Sequence, residues 1–292
     1  MTASTTPSLP AGHEFAPMTD AEVAQLVEWA AAESWNPGRH DVPAARSVDP
    51  AAFIALRRDG EMIGGGSVFS YDGAFGFMGL FIMRPDERGH GLGGLLWHHR
   101  LELMRARLRP DAAVGMDGVF RMAPFYARGG FVLAYRDLRF DGVAPDGDDT
   151  GLLPIDAVGF EAVDEFDRRH VAAPRTAFLR AWLAPADVHT AVIVDGDAVV
   201  GMAALRPCRD GYRFGPVHAD RPDVAERLIL GLMSRVAGAP VQIDVPEPNE
   251  AGLAIVDRLG MTESFGCARM YHGPDPQLPV DRIYGVTSFE FG

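Results

Sequence analysis

The sequence predicts a mixed α/β (α+β) protein made of two copies of one unit in tandem, the second copy degenerate. Three observations predict it. Helix-like and strand-like runs follow one another in the same order through both halves. A run dense in Asp, Gly and Pro, "DGVAPDGDDTGLLP" at 141–154, reads as the linker between them. Both halves also carry Arg-Pro-Asp, at 84–86 and 221–223, ahead of a leucine-rich helical run, but only the first half inserts glycines there.

Each element has a local reason. Residues 1–12 lack apolar periodicity and read as a disordered lead-in, with no basic or apolar stretch of the kind a signal peptide needs. Residues 19–34 read as a helix: Thr19 is a capping residue, Glu22 stands three positions on, and Val23, Leu26, Val27 and Ala30 share a face. "WNPG" at 35–38 ends it. Strand-like runs at 61–71 and 75–83 flank an Asp-Gly turn at 72–73. A glycine-rich segment and a helix to about Arg109 follow, then a strand at 112–119, a helix near 122–130 and a strand at 131–140. The second half repeats the order, with helices in the outer parts of 166–183, a hairpin at 190–205, a strand at 211–219, a helix at 223–238, a strand at 241–245, a helix at 249–260 and a strand at 262–273. The last strand-like stretch, 283–291, reads as an edge strand. If it crosses instead to the interface between the halves, Glu290 becomes a contact for the acceptor.

Composition narrows the class. The 292 residues are 47% hydrophobic, and the net charge of −13 argues against nucleic acid or an anionic membrane as partner. No apolar run is long enough to span a bilayer. Two cysteines without a pairing pattern, Cys208 and Cys267, point to a reducing, cytoplasmic setting and read as small buried hydrophobes. His98 and His99 are adjacent on a helix and point apart, so no metal is expected.

The chemistry-bearing stretch is "RPDERGHGLGGLL" at 84–96. Glycine weakens a helix by about 0.5–1 kcal/mol relative to alanine, yet four stand between 89 and 94. A helix N-terminus carries unpaired N–H groups and partial positive charge, and glycine lets an anion reach them. A P-loop would need Lys-Ser or Lys-Thr, which is missing. Gly89, Gly91 and Gly94 fit the dinucleotide string GxGxxG, with Asp117 downstream, but "RPDER" separates them from the strand, which belongs to a hairpin.

A third pattern, Arg-x-x-Gly-x-Gly after a strand and a proline, is supplied by Met83, Pro85, Arg88, Gly91 and Gly93. Here the sequence resembles the GNAT superfamily of acetyl-coenzyme A-dependent N-acetyltransferases. "FYARGGF" at 125–131 is similar to the family's Tyr-x-x-x-Gly-Phe. The resemblance covers 13–140 as a catalytic GNAT unit. Residues 155–292 resemble the C-terminal domain of a YitH-like branch through "APRTAFLRAWL", "GPVHAD", "DVPEPNEAG", "LGM" and "ARMYHG".

The resemblance implies roles. The amides of Arg88, Gly89, His90, Gly91, Leu92, Gly93 and Gly94 would hold the pyrophosphate of acetyl-CoA. The main chain of Phe81, Ile82 and Met83 would pair with pantetheine and polarise the thioester carbonyl. Tyr126 would be the general acid for the departing thiolate. At pH 7 a lysine-like amine needs about 4.6 kcal/mol to lose its proton, which makes a base useful. The strand 75–83 has no acid, a departure from the family pattern. Asp117, an acid in an apolar run, is the candidate base, acting through water; its alternative role is to cap a turn. Trp35, His40 and Asp41 lie where the family walls its acceptor pocket. The expected reaction is acetyl transfer to a primary amine, a small molecule or basic peptide, by direct attack in a ternary complex. The alternative is an acyl-CoA-binding module without transferase activity. In the second copy, "RPDVAERLILG" has no glycine before the helix, and Glu226 would repel a pyrophosphate, so one coenzyme site is expected. Arg175 and Arg180 read as solvated or paired surface charges, with binding of an acidic group as the alternative. The chain is expected to be a monomer or homodimer.

Overall fold

The computed structural model describes residues 9–292; residues 1–8 of the expected lead-in lie outside it, and Pro10 to His13 form a turn. In chain order the first half contains β1 (His13–Pro17), α1 (Asp20–Ala32), α2 (Asp41–Val48), β2 (Phe53–Arg58), β3 (Glu61–Ser67), β4 (Phe69–Tyr71), β5 (Phe75–Phe77), β6 (Ile82–Met83), α3 (Leu92–Arg107), β7 (Ala113–Val119), α4 (Ala123–Arg128) and β8 (Val132–Val143). The second contains α5 (Ile155–Val158), α6 (Phe160–Arg168), α7 (Thr176–Leu183), β9 (His189–Asp195), β10 (Ala198–Pro207), β11 (Tyr212–Ala219), α8 (Pro222–Ser234), β12 (Pro240–Pro246), α9 (Glu250–Arg258), β13 (Thr262–His272) and β14 (Ile283–Gly285).

The local signals act as the sequence predicts. Thr19 caps α1 with Glu22 in a reciprocal capping box, and Val23, Leu26 and Ala30 are the buried stripe. Asn249 caps α9 by accepting from the Gly252 amide at 2.8 Å. The β9–β10 hairpin turns at 196–197.

Long-range pairing departs from two self-contained units. One sheet is ordered β1-β2-β3-β6. The other runs β4-β5-β7-β13-β8-β12-β11-β10-β9, with β14 added on β11. β13, from the second half, pairs with both β7 and β8 of the first, and β8 also pairs with β12. The halves therefore share a continuous sheet by exchanging strands. The run at 141–143 continues β8, and Ala144 is buried among Ile229, Leu232 and Val236 beyond it.

The expected strands at 61–71 and 75–83 are each broken. β3 pairs with β6 in one sheet, while β4 pairs with β5 in the other. The chain crosses between them at 78–81, where Leu80 takes φ +52°. β5 runs parallel to β7, and that ladder ends with the Met78 amide donating to the Gly115 carbonyl at 2.9 Å. Beyond it β6 leans away towards β3, so a gap opens between β6 and β7. The core sits on both sides: Trp97, Leu101 and Met104 of α3 pack with Met116, Tyr126 and Phe131, and Leu228, Ile229 and Leu232 of α8 pack on β10 to β12.

Candidate active site

The gap between β6 and β7 is the mouth of a cavity of about 670 Å³. Its walls come from the strand break (Leu80 to Met83), the glycine loop, α4 and the C-terminal segment. Residues of both faces of β7 line it. A Cβ at Gly118 would collide with the Tyr126 ring, whereas Val119, two residues on from Asp117, packs with Cys267 and Phe289 on the other face.

The loop before α3 is shaped for an anion. Gly89 (φ +84°) and Gly91 (φ +81°) take left-handed conformations open to glycine at no steric cost. Among the described residues, the amides of Gly89, His90, Gly91, Leu92 and Gly93 have no backbone or side-chain acceptor; the Gly94 amide is the first to turn back, donating to the Gly91 carbonyl at 3.0 Å. Five successive free N–H groups at a helix N-terminus are an arrangement that could hold a phosphate. Gly89, Gly91, Gly93 and Gly94 line the cavity, and a Cβ at 89, 91 or 94 would stand in open space. His90 is exposed and Leu92 is buried beside Leu56, Ile63 and Met83, so these two offer only main chain. Arg88 folds back, donating from Nε to the Met83 carbonyl (2.9 Å) and from Nη2 to Glu33 (2.5 Å).

At the strand break the main-chain amides of Leu80 and Phe81 have no acceptor among the described residues. Phe81, Ile82 and Met83 all line the cavity. The break is propped by Arg100, a residue the sequence did not single out. Fully buried on α3, it donates from Nη2 to the carbonyls of Ser67 (2.6 Å) and Gly79 (2.7 Å) and lies over the Phe81 ring. Burial without a carboxylate partner pushes its guanidinium down to about 10. The run Gly64 to Gly66 signalled it: a Cβ at Gly66 would collide with the Arg100 guanidinium.

Tyr126 stands in the cavity on α4, between Trp97 and Phe125. Its hydroxyl has no hydrogen-bond partner among the described residues, and burial pushes it up to about 12, so it keeps its proton at neutral pH.

Two expected residues, His40 and Asp41, go elsewhere, and a third, Asp117, lines the cavity with its carboxylate already paired. The Asp117 side chain is buried in the cavity wall, on the face of β7 away from Tyr126, and its carboxylate accepts from Nε and Nη2 of Arg269 (2.6 and 2.7 Å). The base role expected for it is corrected on that ground: both oxygens are occupied, and the acid in an apolar run has a partner 152 residues away rather than a task at the thioester. Asp41 is the buried counterion of Arg206 and Arg213 and does not reach the cavity. His40 is held by Asp187 at 2.7 Å, also outside the cavity. Trp35 does line it. Its carbonyl accepts from Arg139 of β8 (2.9 Å) and Arg213 of β11 (3.2 Å), so one strand from each half fixes where this loop stands.

Of the expected surface arginines, Arg175 is instead buried and paired in fork geometry with Asp167 (2.8 and 2.7 Å), while Arg180 lies exposed over Phe160. Cys208 and Cys267 are free and buried; burial pushes both thiols up, and neither is activated as a nucleophile. The C-terminal stretch is a strand only at 283–285; the rest crosses to the cavity, where Phe289 and Glu290 form part of the wall.

Comparison with known proteins agrees with this geometry. Residues 20–131 match the model of the acetyltransferase (GNAT) family, and residues 163–285 match that of an acetyltransferase (GNAT) domain. A curated relative, the holothin acyltransferase of Pseudoalteromonas sp. (strain SANK 73390), is 31% identical over 272 residues, 91% of this chain and 90% of that protein. Among solved structures, a putative acetyltransferase from Pyrococcus horikoshii superposes with TM-score 0.82 at 20% identity, over 98% of both chains. A tandem GNAT protein from the clavulanic acid biosynthesis pathway superposes with TM-score 0.60 at 17% identity, over 90% of this chain and 99% of that one. Both share the fold.

Proposed function

This chain belongs to the GNAT acetyltransferase family, and from that premise we propose that it moves an acetyl group from acetyl-CoA to a primary amine by direct attack in a ternary complex. The observation that carries the reading is the row of free amides from Gly89 to Gly93, opening onto the same cavity as Tyr126. In this reading residues 13–140 supply the coenzyme site and residues 155–292 complete the sheet and the acceptor wall.

The pyrophosphate rests on the loop amides, and the pantetheine arm enters the gap beside Leu80 to Met83. The amide of Leu80 or Phe81 then meets the thioester oxygen, where negative charge grows as the amine adds. The amine nitrogen forms the C–N bond and the C–S bond breaks. The thiolate takes its proton from Tyr126, and the amine gives one up to a base or to water. The products are the amide and free coenzyme A, with no covalent enzyme intermediate. Trp35 and Phe289 offer an apolar wall for the acceptor.

The test is thiol release from acetyl-CoA with a panel of alkyl, aryl and peptide amines, alongside the thermal shift induced by acetyl-CoA. Amine-dependent thiol release together with a saturable shift supports the reading. A saturable shift with no thiol release from any amine replaces it with the binding module. No shift refutes the coenzyme site.

A further inference from the structure

The two units treat the same gap differently. In the first, β6 and β7 part and leave the cavity open. In the second, the corresponding strands β11 and β12 pair only at Tyr212–Arg213 with Val241–Gln242 and then part as well. There the chain fills its own wedge. β14 pairs antiparallel with β11 (Val217 with Gly285, His218 with Ile283), and the Val286 amide donates to the Asp244 carbonyl of β12 at 2.9 Å. An acyl-CoA arm has no free strand edge left to pair with in that unit. The helix behind it also lacks the cradle: Pro222 at the first position of α8 has no N–H, and Arg221 and Asp223 side chains meet across the terminus.

The plug does not end in the second unit. It continues through Thr287, whose hydroxyl accepts from Arg175 (2.8 Å) and whose carbonyl accepts from Arg206 (3.2 Å). The Ser288 hydroxyl then accepts the amides of Glu290 (3.2 Å) and Phe291 (3.1 Å), which turns the chain. Tyr71 of β4 fastens the end by donating to the Phe291 carbonyl at 2.6 Å. Gly79, in the strand break, is close enough to the Glu290 carbonyl that a Cβ there would collide with it.

That path sets the Glu290 side chain in the wall of the open cavity, at 6% exposure, with no hydrogen-bond partner for Oε2 among the described residues. That oxygen is turned to Arg213 Nη2 at 3.7 Å, too far for a hydrogen bond, so the carboxylate in the cavity wall is under-satisfied and a donor arriving there would relieve it. The charged groups around it are Arg213 of β11, 3.7 Å away, with Asp41 of α2, Arg139 of β8 and Asp244 of β12 behind. Arg139 is committed to Asp244 (2.6 and 2.8 Å), and Arg213 is shared with Asp41. Burial, only partly offset by Arg213, pushes the carboxyl above its ordinary range, in the direction that makes a stronger proton acceptor.

We propose that Glu290, delivered to the open gap of the first unit by the segment that plugs the gap of the second, accepts the proton from the attacking amine. It supplies the acid that the strand 75–83 lacks. The proposal rests on the transferase reading above. The amine nitrogen transfers one proton to the Glu290 carboxylate as the C–N bond forms. Solvent removes it once the products leave.

The experiment compares wild-type protein with Glu290→Gln and Glu290→Ala, using an arylamine acceptor that stays uncharged between about pH 5 and 9. Acetyl-CoA binding and melting temperature are measured in parallel. The expected result is a fall in kcat/KM of about 10²-fold or more in both variants, with acetyl-CoA affinity held. The acid limb of the wild-type pH profile is lost in Glu290→Gln, and added formate partly restores turnover in Glu290→Ala. Glu290→Asp, which keeps the carboxylate, retains the acid limb. Unchanged kcat/KM in Glu290→Gln, or a fall with an unchanged pH profile and no formate rescue, overturns the assignment. Absence of amine-dependent turnover in the wild-type protein defeats the transferase reading itself, a separate outcome.

Discussion

Replacing Gly91 with Val and Gly94 with Ala separates two jobs that glycine does in one loop. Gly91 sits at φ +81°, ahead of α3. A β-branched residue there costs about 1–2 kcal/mol. For a chain of this size that lowers the melting temperature by roughly 2–8 °C. The loop escapes the strain by leaving the left-handed region, which turns the amides at 91–93 out of the cradle. Each charge-assisted amide–phosphate bond contributes about 1.5–3 kcal/mol, so losing two removes about 3–6 kcal/mol. Acetyl-CoA binding then weakens by roughly 10²- to 10⁴-fold. Gly94 differs: it lies in the first turn of α3 with ordinary φ, and a Cβ there meets nothing within 4 Å. Gly94→Ala should stabilise the free protein by about 0.5–1 kcal/mol. It should leave acetyl-CoA affinity within about three-fold, roughly 0.7 kcal/mol. Calorimetric titration with acetyl-CoA and thermal melts of the free proteins read both effects. Tight acetyl-CoA binding by Gly91→Val would refute the cradle. A Gly94→Ala protein that melts earlier than wild type would refute the open space around that position.

Tyr126→Phe should lower turnover by about 10²-fold or more while leaving acetyl-CoA affinity unchanged, since the hydroxyl's task is to protonate the thiolate; thiol release and calorimetry check this, and unaltered turnover removes Tyr126 from the mechanism. Asp41→Ala strips Arg206 and Arg213 of their shared buried counterion. It should cost about 3–5 kcal/mol, a drop of roughly 6–20 °C in melting temperature, with circular dichroism melts as the check. His170 and His218 stack at 4.7 Å, and burial holds both below the ordinary histidine range. Because the unfolded chain takes up protons at these sites near pH 6.5 and the folded chain does not, stability should fall as pH drops below about 6.5. A chain with both replaced by Gln should show a flatter melting temperature between about pH 5 and 7, and an equal slope in both proteins refutes the assignment.

What the sequence conveyed well was local. The capping box at Thr19 and Glu22, the turn at 72–73 and the glycine loop before α3 each carry their cause within a few residues. Tyr126 was legible because its motif places it on the short helix after β7, facing the helix that the loop starts. What stayed hidden depends on partners far along the chain. Asp117 announced that it needed a partner, but nothing local pointed to Arg269 on β13. The strand at 75–83 looked continuous because its apolar pattern is unbroken; the crossing at 78–81 comes from Arg100 on α3 and from two different strand partners. The C-terminal stretch read as a strand by composition. After Val286 its bonds go to Arg175, Arg206 and Tyr71 instead of a neighbouring ladder.

The same long-range contacts explain why the second unit can lose its own phosphate cradle and still be required. β13 lies between β7 and β8, so the strand that carries Gly118 against Tyr126 has its antiparallel partner in the other half. Trp35 is held by Arg139 of β8 and Arg213 of β11, and Arg213 is itself shared between Asp41 of the first half and Glu290 at the chain's end. Substitutions at Phe265 or Cys267 of β13 change the cavity wall directly. β13 lines the cavity through Phe265 and Cys267, while β11 and β12 act on its wall from behind, through Arg213 and Asp244.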